Sequence, residues 1–377
     1  MQSQIYGNRG LNVSGGRGAI LFDQTGREYI DFFAGHGASL FGHSNPDLVS
    51  ALKEAAGKPW NTGSGLICEL REAATVALVS HLPGYRAFWT NSGTEAIEGA
   101  LKLCALNRPE RSRILALRRG FHGRSTGALS LTFNPKYRKP FAPFLFDTEF
   151  FEPEEIADAV DETTLAVFVE PVQGEGGVYV TREEIGRRLT AQCRHTGALL
   201  VADEIQSGFG RCGAFLASEK TGLDPDIVCL SKGVAGGLPV GVILWREDLA
   251  DFPPMSHGST TGGNPLVCSV ALAATRLLEE NNYPALADSR GAAFRQLLED
   301  IESPLISEVR GMGLLVGVQL QVKSHPVIRS LQEKGLLALP AGPSVVRFLP
   351  PFAAEMNHFE KAAAIFAEVL ETHGSNL

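Results

Sequence analysis

The chain has no long apolar run. Its 377 residues are 44% hydrophobic, yet none of its stretches reaches the roughly 20 consecutive apolar residues that a bilayer-crossing helix needs. No C-x-x-C pair occurs among Cys68, Cys104, Cys193, Cys212, Cys229 and Cys268, and the nine histidines add no zinc spacing. A metal module is therefore not expected. Several of the cysteines lie inside apolar runs and are expected to be buried, reduced thiols. A cationic excess is also missing. With 34 Lys and Arg against 42 Asp and Glu, the net charge is −8, which argues against nucleic acid or an anionic membrane as partner. The opening MQSQIYGNRG lacks the apolar core of a secretory signal, so a cytoplasmic location is the expectation. There is no internal repeat and no low-complexity tract. What the chain does have is length for two domains and 41 glycines, several of them clustered.

GAILFDQTGREYIDFFAG reads as a hairpin, two alternating runs around Gln24-Thr25-Gly26. SNPDLVSALKEAAG reads as a helix, capped by Asn45, with Pro46 in its first turn and Gly57 at its end. From about residue 86 to 245, apolar runs alternate with amphipathic ones. RAFWT, RILAL, TLAVFVEP, ALLVADE, DIVCL and PVGVILW read as strands; TEAIEGALKLCALN, PEEIADAV and REEIGRRLTAQCRHTG read as helices. This pattern predicts an α/β fold: a large domain whose mixed, mainly parallel sheet is covered by helices, plus a smaller C-terminal α/β domain. Helices at 265–280 and 284–300, short strands in ISEVRG and GLLVGVQL, and helices near 325–334 and 353–372 build the latter. The division expected is an N-terminal segment 1–45, a large domain 46–265 and a small domain 266–377.

Ligands sit at the C-terminal ends of strands in such sheets. NSGT, Asn91 to Thr94, joins a strand to a helix. Gly93 permits close backbone approach, and Ser92 and Thr94 offer hydroxyls, so the loop is either a phosphate site or a plain helix cap with Thr94 as N-cap. Asp203 and Glu204 end another apolar run. A buried carboxylate needs a partner, either an arginine or a protonated ring nitrogen. EPVQGEGG adds Glu170, Gln173 and Glu175. RRGFHGRSTG offers Phe121, either a ring-stacking aromatic or core, His122, and Arg124, either a grip on a carboxylate through two parallel hydrogen bonds or a surface residue. Lys232 closes DIVCLSK with Gly233, Gly236 and Gly237 behind it and no acidic neighbour. SHGSTTGGNP is rich in glycine and hydroxyls, a phosphate wall or a linker. None of these is specific alone. Together, a lysine, a carboxylate and a phosphate-type loop on one parallel sheet meet the needs of pyridoxal 5'-phosphate chemistry.

On NSGTEAIEGALK, GFHGRS, EPVQGEGG, ADEIQSGFGRCG, DIVCLSKGVAGGLPVG, HGSTTGGNPL, VRGMGLLVGV and VVRFLPPF, the chain resembles the class III aminotransferases of fold type I, nearest the acetylornithine and ornithine group. The resemblance implies roles. Lys232 matches the lysine that forms a Schiff base with pyridoxal 5'-phosphate, and Asp203 the partner of the ring nitrogen. Gln206 lies near the ring hydroxyl, Phe121 stacks on the ring, and Ser92, Gly93 and Thr94 form the phosphate loop. Thr260 matches a phosphate ligand donated by the second subunit of a homodimer, and Ser259 a substrate contact beside it. Arg124 and Arg347 match the two carboxylate-binding arginines, with Glu175 shielding Arg347 while the other substrate is bound. The implied reaction moves the terminal amine of an ornithine-like donor, N-acetylornithine first, to 2-oxoglutarate, as in arginine biosynthesis. Ornithine, a carrier-protein-linked lysine precursor and 4-aminobutyrate are alternative donors; an aminomutase or decarboxylase is the alternative reaction. His36 departs from the pattern, standing where a small, apolar or tyrosine residue is usual. It is either structural or a contact to the distal end of the substrate.

Two motifs compete. GRSTG, residues 123–127, fits a hydrolase nucleophile elbow, but that motif needs its serine directly after a strand, and RRGFHGR intervenes after RILAL. GMGLLVG lacks the spacing of a dinucleotide fingerprint and predicts close backbone packing instead.

Overall fold

The computed structural model describes Ile5, residues 9–63 and residues 65–374. Its centre is a seven-stranded sheet in the order Tyr85–Thr90, Gly241–Arg246, Ile227–Leu230, Leu199–Asp203, Thr164–Val169, Arg113–Leu117, Glu149–Phe151. The last five of these strands are mutually parallel. Gly241–Arg246 runs antiparallel to both its neighbours. Loop length explains the reversal. The link from Leu230 to Gly241 is shorter than the dozen residues a parallel crossover requires, so the chain turns straight back. Strands Thr164–Val169, Leu199–Asp203 and Ile227–Leu230 are buried throughout, as unbroken apolar runs between two helical layers should be.

One element was missed and one expectation needs correction. Glu149–Phe151 is a strand, at the sheet edge and too short to show a periodicity. PEEIADAV is helical only over Ile156–Ala159, because Val160 turns extended to meet Asp161 and the next strand.

The N-terminal hairpin does not stay with the large sheet. Strands Val13–Arg17, Ile20–Asp23 and Glu28–Asp31 form a sheet that Leu336–Leu337 completes in parallel. Phe32, which follows them, inserts between Phe294 and Phe359 of the late helices, with ring centroids 5.4 Å away in both cases. A third sheet has the order Ile306–Met312, Leu315–Leu320, Val345–Phe348, Leu339–Pro340. Helix Pro265–Glu280, capped by Asn264, packs on helices Glu69–Val79 and Pro46–Ala56. Among the described residues no helix is long and apolar enough to cross a membrane, and no cluster of ligating side chains would hold a metal ion. All six cysteines are buried and unbridged.

Candidate active site

Chemistry-bearing residues gather at the C-terminal edge of the parallel strands. Asp203 ends one strand and pairs in register with Cys229 of the next. Lys232 follows that next strand, in a left-handed conformation at φ 42°. Ser231 fixes the turn by donating its hydroxyl to the Val240 carbonyl at 2.6 Å. Gly233 lies against Leu40, where a Cβ would come within 2.4 Å of a methyl carbon. Lys232 is partly buried and has no ion pair among the described residues. Burial pushes its ammonium down to about 8, against the attraction of Glu175 and with help from the positive charge of Arg347. The amine is therefore largely uncharged at mildly alkaline pH.

Asp203 is 5% exposed. Its Oδ2 meets His122 Nδ1 at 2.8 Å, and its Oδ1 accepts the Ile205 amide at 3.1 Å. Its partner inside the protein is thus a histidine, not an arginine. His122 is buried, and its other ring nitrogen has no protein partner. These two residues are 81 positions apart, and nothing in the sequence links them. Glu170, within electrostatic reach of Asp203, accepts the Phe121 amide at 2.9 Å. Burial, reinforced by Asp203, holds Glu170 well above the usual carboxylate range. Glu204, by contrast, turns away to Ser207 and Ser218, and serves the fold.

Helix Gly93–Asn107 begins where strand Tyr85–Thr90 ends. Its N-cap is Ser92, not Thr94: the Ser92 hydroxyl accepts the Glu95 amide at 3.2 Å. Glu95 in turn accepts the Asn91 amide at 2.9 Å, closing a reciprocal cap. Thr94 is thereby released from capping. Its hydroxyl meets Ser125 Oγ at 2.7 Å, and Ser125 leans on Glu98. That arrangement disposes of the hydrolase motif, since Ser125 is bound to Thr94 and Glu98 rather than to a histidine. Gly93 sits so close to Ile205 that a Cβ would come within 2.8 Å of its side chain.

Arg347 is fully buried on strand Val345–Phe348. Its Nη1 donates to Gln206 Oε1 at 2.9 Å and its Nη2 to Glu175 Oε1 at 2.6 Å. Arg347 holds the Glu175 carboxyl below its ordinary range despite burial. Gln206 is thus tied to an arginine. Its Oε1 fills the space where a side chain on Gly174 would begin, 1.8 Å from that Cβ position. His36 sits in a left-handed turn at φ 58°, edge-on to Phe33 at 4.7 Å. Burial lowers its proton affinity; Glu175 opposes that and Arg347 reinforces it.

Four further expected site residues, Arg124, Ser259, Thr260 and Phe121, have these neighbours within the chain. Arg124 is exposed and stacks on Tyr137 at 4.2 Å. Ser259 accepts from Asn91 Nδ2 at 2.9 Å, and Thr260 is exposed, its carbonyl accepting from Asn61. Phe121 is partly buried, its ring 6.2 Å from Tyr137.

A depressed lysine amine, a histidine-backed carboxylate and a glycine-started helix at one sheet edge, with a buried arginine supplied by the third sheet, are what an enzyme using pyridoxal phosphate on amino acids needs. The donor set fits the group: each Asp203 oxygen has one partner and, as a carboxylate oxygen, can accept a second hydrogen bond from a ring nitrogen, and Lys232 has no competing ion pair among the described residues. The class-III aminotransferase family model matches residues 2–370. The chain belongs to that family, whose cofactor is pyridoxal 5'-phosphate. It is 40% identical to the [LysW]-aminoadipate semialdehyde transaminase of Deinococcus radiodurans, over 98% of this chain and 88% of that one. It is 37% identical to the acetylornithine aminotransferase of Clostridium acetobutylicum, over 97% and 98% of the two chains. The ornithine aminotransferase of Toxoplasma gondii superposes with a TM-score of 0.95 at 30% identity, covering 100% of this chain and 93% of that one. The protein is an aminotransferase of the ornithine and acetylornithine class.

Proposed function

We propose that the chain moves the terminal amine of an ornithine-like donor, N-acetylornithine first, to 2-oxoglutarate, giving a semialdehyde and glutamate. The observation that carries this reading is the buried Arg347 held by Glu175 within electrostatic reach of Lys232. A terminal-amine donor must meet a site in which Arg347 is neutralised; glutamate and 2-oxoglutarate need Arg347 bare for their α-carboxylate. One carboxylate that pairs with Arg347 or releases it serves both.

Pyridoxal phosphate supplies a carbonyl that condenses with amines and a ring that draws electrons from the adjacent carbon. Lys232 Nζ would take the proton from the donor carbon and return it two bonds away, on the far side of the donor nitrogen, which its lowered proton affinity favours. Asp203, oriented by His122, holds a proton on the ring nitrogen. The start of helix Gly93–Asn107, with Ser92, Gly93 and Thr94, takes the phosphate. Phe121 would lie against the ring, and Gln206, positioned by Arg347, would serve its hydroxyl. Arg124 receives the second carboxylate of the substrate. Glu170, whose proton affinity burial raises, keeps the Phe121 backbone in place.

Thr260 and Ser259 are proposed to act in a neighbouring copy of the chain. Trp60, Leu66, Ile67 and Val76 are all more than 60% exposed, apolar surface within the stretch 60–76 that also holds Asn61, the contact to Thr260. A patch of that kind marks an interface. A homodimer sharing its sites across this patch accounts for both observations.

A second reading has a specific observation behind it. Between Glu110 and Asp147 the sequence has no carboxylate, and Lys136 and Lys139 stand exposed near Arg124. A donor borne on an acidic carrier protein suits such a surface, and the Deinococcus radiodurans relative is named for a LysW-linked substrate. A donor panel assayed for glutamate formation from 2-oxoglutarate separates the candidates: N-acetylornithine, ornithine, 4-aminobutyrate and a carrier-linked lysine. Turnover of N-acetylornithine above the others is expected. Turnover of none of them refutes the transfer reaction, leaving an aminomutase or decarboxylase.

A further inference from the structure

Glu175 sits in the turn of a small hairpin, Val172–Gln173 paired with Tyr179–Val180. The surface beneath that hairpin is one row of the third sheet. Arg310 pairs with Gly317, and Gly317 pairs with Arg347. Residues opposite one another in antiparallel strands share a face, so the row reads arginine, glycine, arginine toward the hairpin. Each member touches it. Arg347 binds Glu175. Gly317 leaves the hollow that receives Val178, where a Cβ would come within 2.8 Å of the valine Cβ. Arg310 donates Nε to the Gly177 carbonyl at 2.8 Å and lies 4.1 Å over the Tyr179 ring. Arg119 covers the same ring at 4.8 Å. Val178 is fully buried at φ 61°, a conformation that a β-branched residue tolerates only when its surroundings impose it.

We propose that Arg310 is the positioning residue of the Glu175 gate. By clamping Tyr179 against Arg119 and holding the Gly177 carbonyl, it sets the height of the hairpin at which the Glu175 carboxylate reaches Arg347. It thereby decides how completely Arg347 is neutralised when a terminal-amine donor is bound. The inference rests on the reading of Glu175 as the shield of Arg347. It adds that the shield is set from the far end of the same sheet row, by a residue that touches neither substrate nor cofactor.

The test measures the two half-reactions of the holoenzyme separately by rapid mixing, with N-acetylornithine and with 2-oxoglutarate. Arg310→Met is expected to lower kcat/KM for N-acetylornithine about tenfold and to leave 2-oxoglutarate within about twofold, the scale of a lost cation–π contact. Tyr179→Leu should show the same split, and Tyr179→Phe, which keeps the stack, should not. Arg310→Lys should rescue only partly, because an ammonium does not stack flat. Combined with Glu175→Gln, Arg310→Met should add nothing, since both act through one carboxylate. Equal slowing of both half-reactions by Arg310→Met and Tyr179→Leu, or full additivity with Glu175→Gln, overturns the proposal. If Glu175→Gln itself produces no split, the shield reading falls. If it does while Arg310→Met and Tyr179→Leu do not, only the clamp falls.

Discussion

At the scale of single residues, the chemistry depends on proton affinities that the fold has moved. Lys232 is pushed down to about 8 from 10.5, so the unfolded chain holds that proton between those pH values and the folded one does not. Cofactor-free protein should therefore gain stability as pH rises through that window, a trend a melting series reads directly. The rate at which this apoprotein captures pyridoxal phosphate should rise with a midpoint of about 8, because only the neutral amine attacks a carbonyl. A midpoint above 10 would mean the amine is not desolvated. Lys232→Ala should cut transfer by ~10³-fold or more, with no cofactor left on the protein after borohydride reduction. His122→Phe removes the partner of a buried carboxylate and should cost about 1–3 kcal/mol of stability, with a further loss of activity that Lys232→Ala protein cannot show.

At the scale of elements, most of the site was legible because its residues end strands or start helices, and such positions leave a mark in the pattern of apolar runs. Asp203, Lys232 and the loop at Ser92–Thr94 stand out that way. His122 does not: its role comes from a contact to a strand 81 positions later. The cap was misassigned within its own turn, because Thr94 is as good a capping type as Ser92 and only the fold shows that Ser125 claims it. The edge strand Glu149–Phe151 escaped by brevity, whereas Gly241–Arg246 was legible as a strand in PVGVILW, with only its direction left open within a mixed sheet. The glycines of GMGLLVG were expected at close contacts. Gly313 meets the Arg211 backbone and Gly317 meets Val178. Gly317→Ala should accordingly destabilise the protein by about 1–3 kcal/mol in thermal melts, the scale of an overpacked core position. An unchanged melting temperature would mean that the hairpin lifts easily.

At the scale of the whole molecule, the hairpin at residues 13–31 belongs with residues 336–337 by backbone pairing, so the two ends of the chain close one structure. The homodimer proposal has a direct test. Mixing Lys232→Ala protein with Thr260→Ala protein, after dissociation and reassociation, produces hybrids with one site free of both changes. Activity should return in the mixture if Thr260 serves the neighbouring subunit. No return would place Thr260 in its own site. Asp at Ile67 and Leu66 should yield monomers on size exclusion, with activity lost alongside.

The six buried thiols have a practical consequence. Burial raises Cys193 and Cys268 to about 12 and Cys104, Cys212 and Cys229 at least as strongly in direction, which leaves little thiolate to meet a maleimide or an iodoacetamide at neutral pH. With Cys68, the sixth buried thiol, replaced, a single cysteine introduced on the outer face, for example at Lys136 or Glu302, would be the one reactive handle on the chain. Fluorophores or spin labels could then be placed there by simple alkylation.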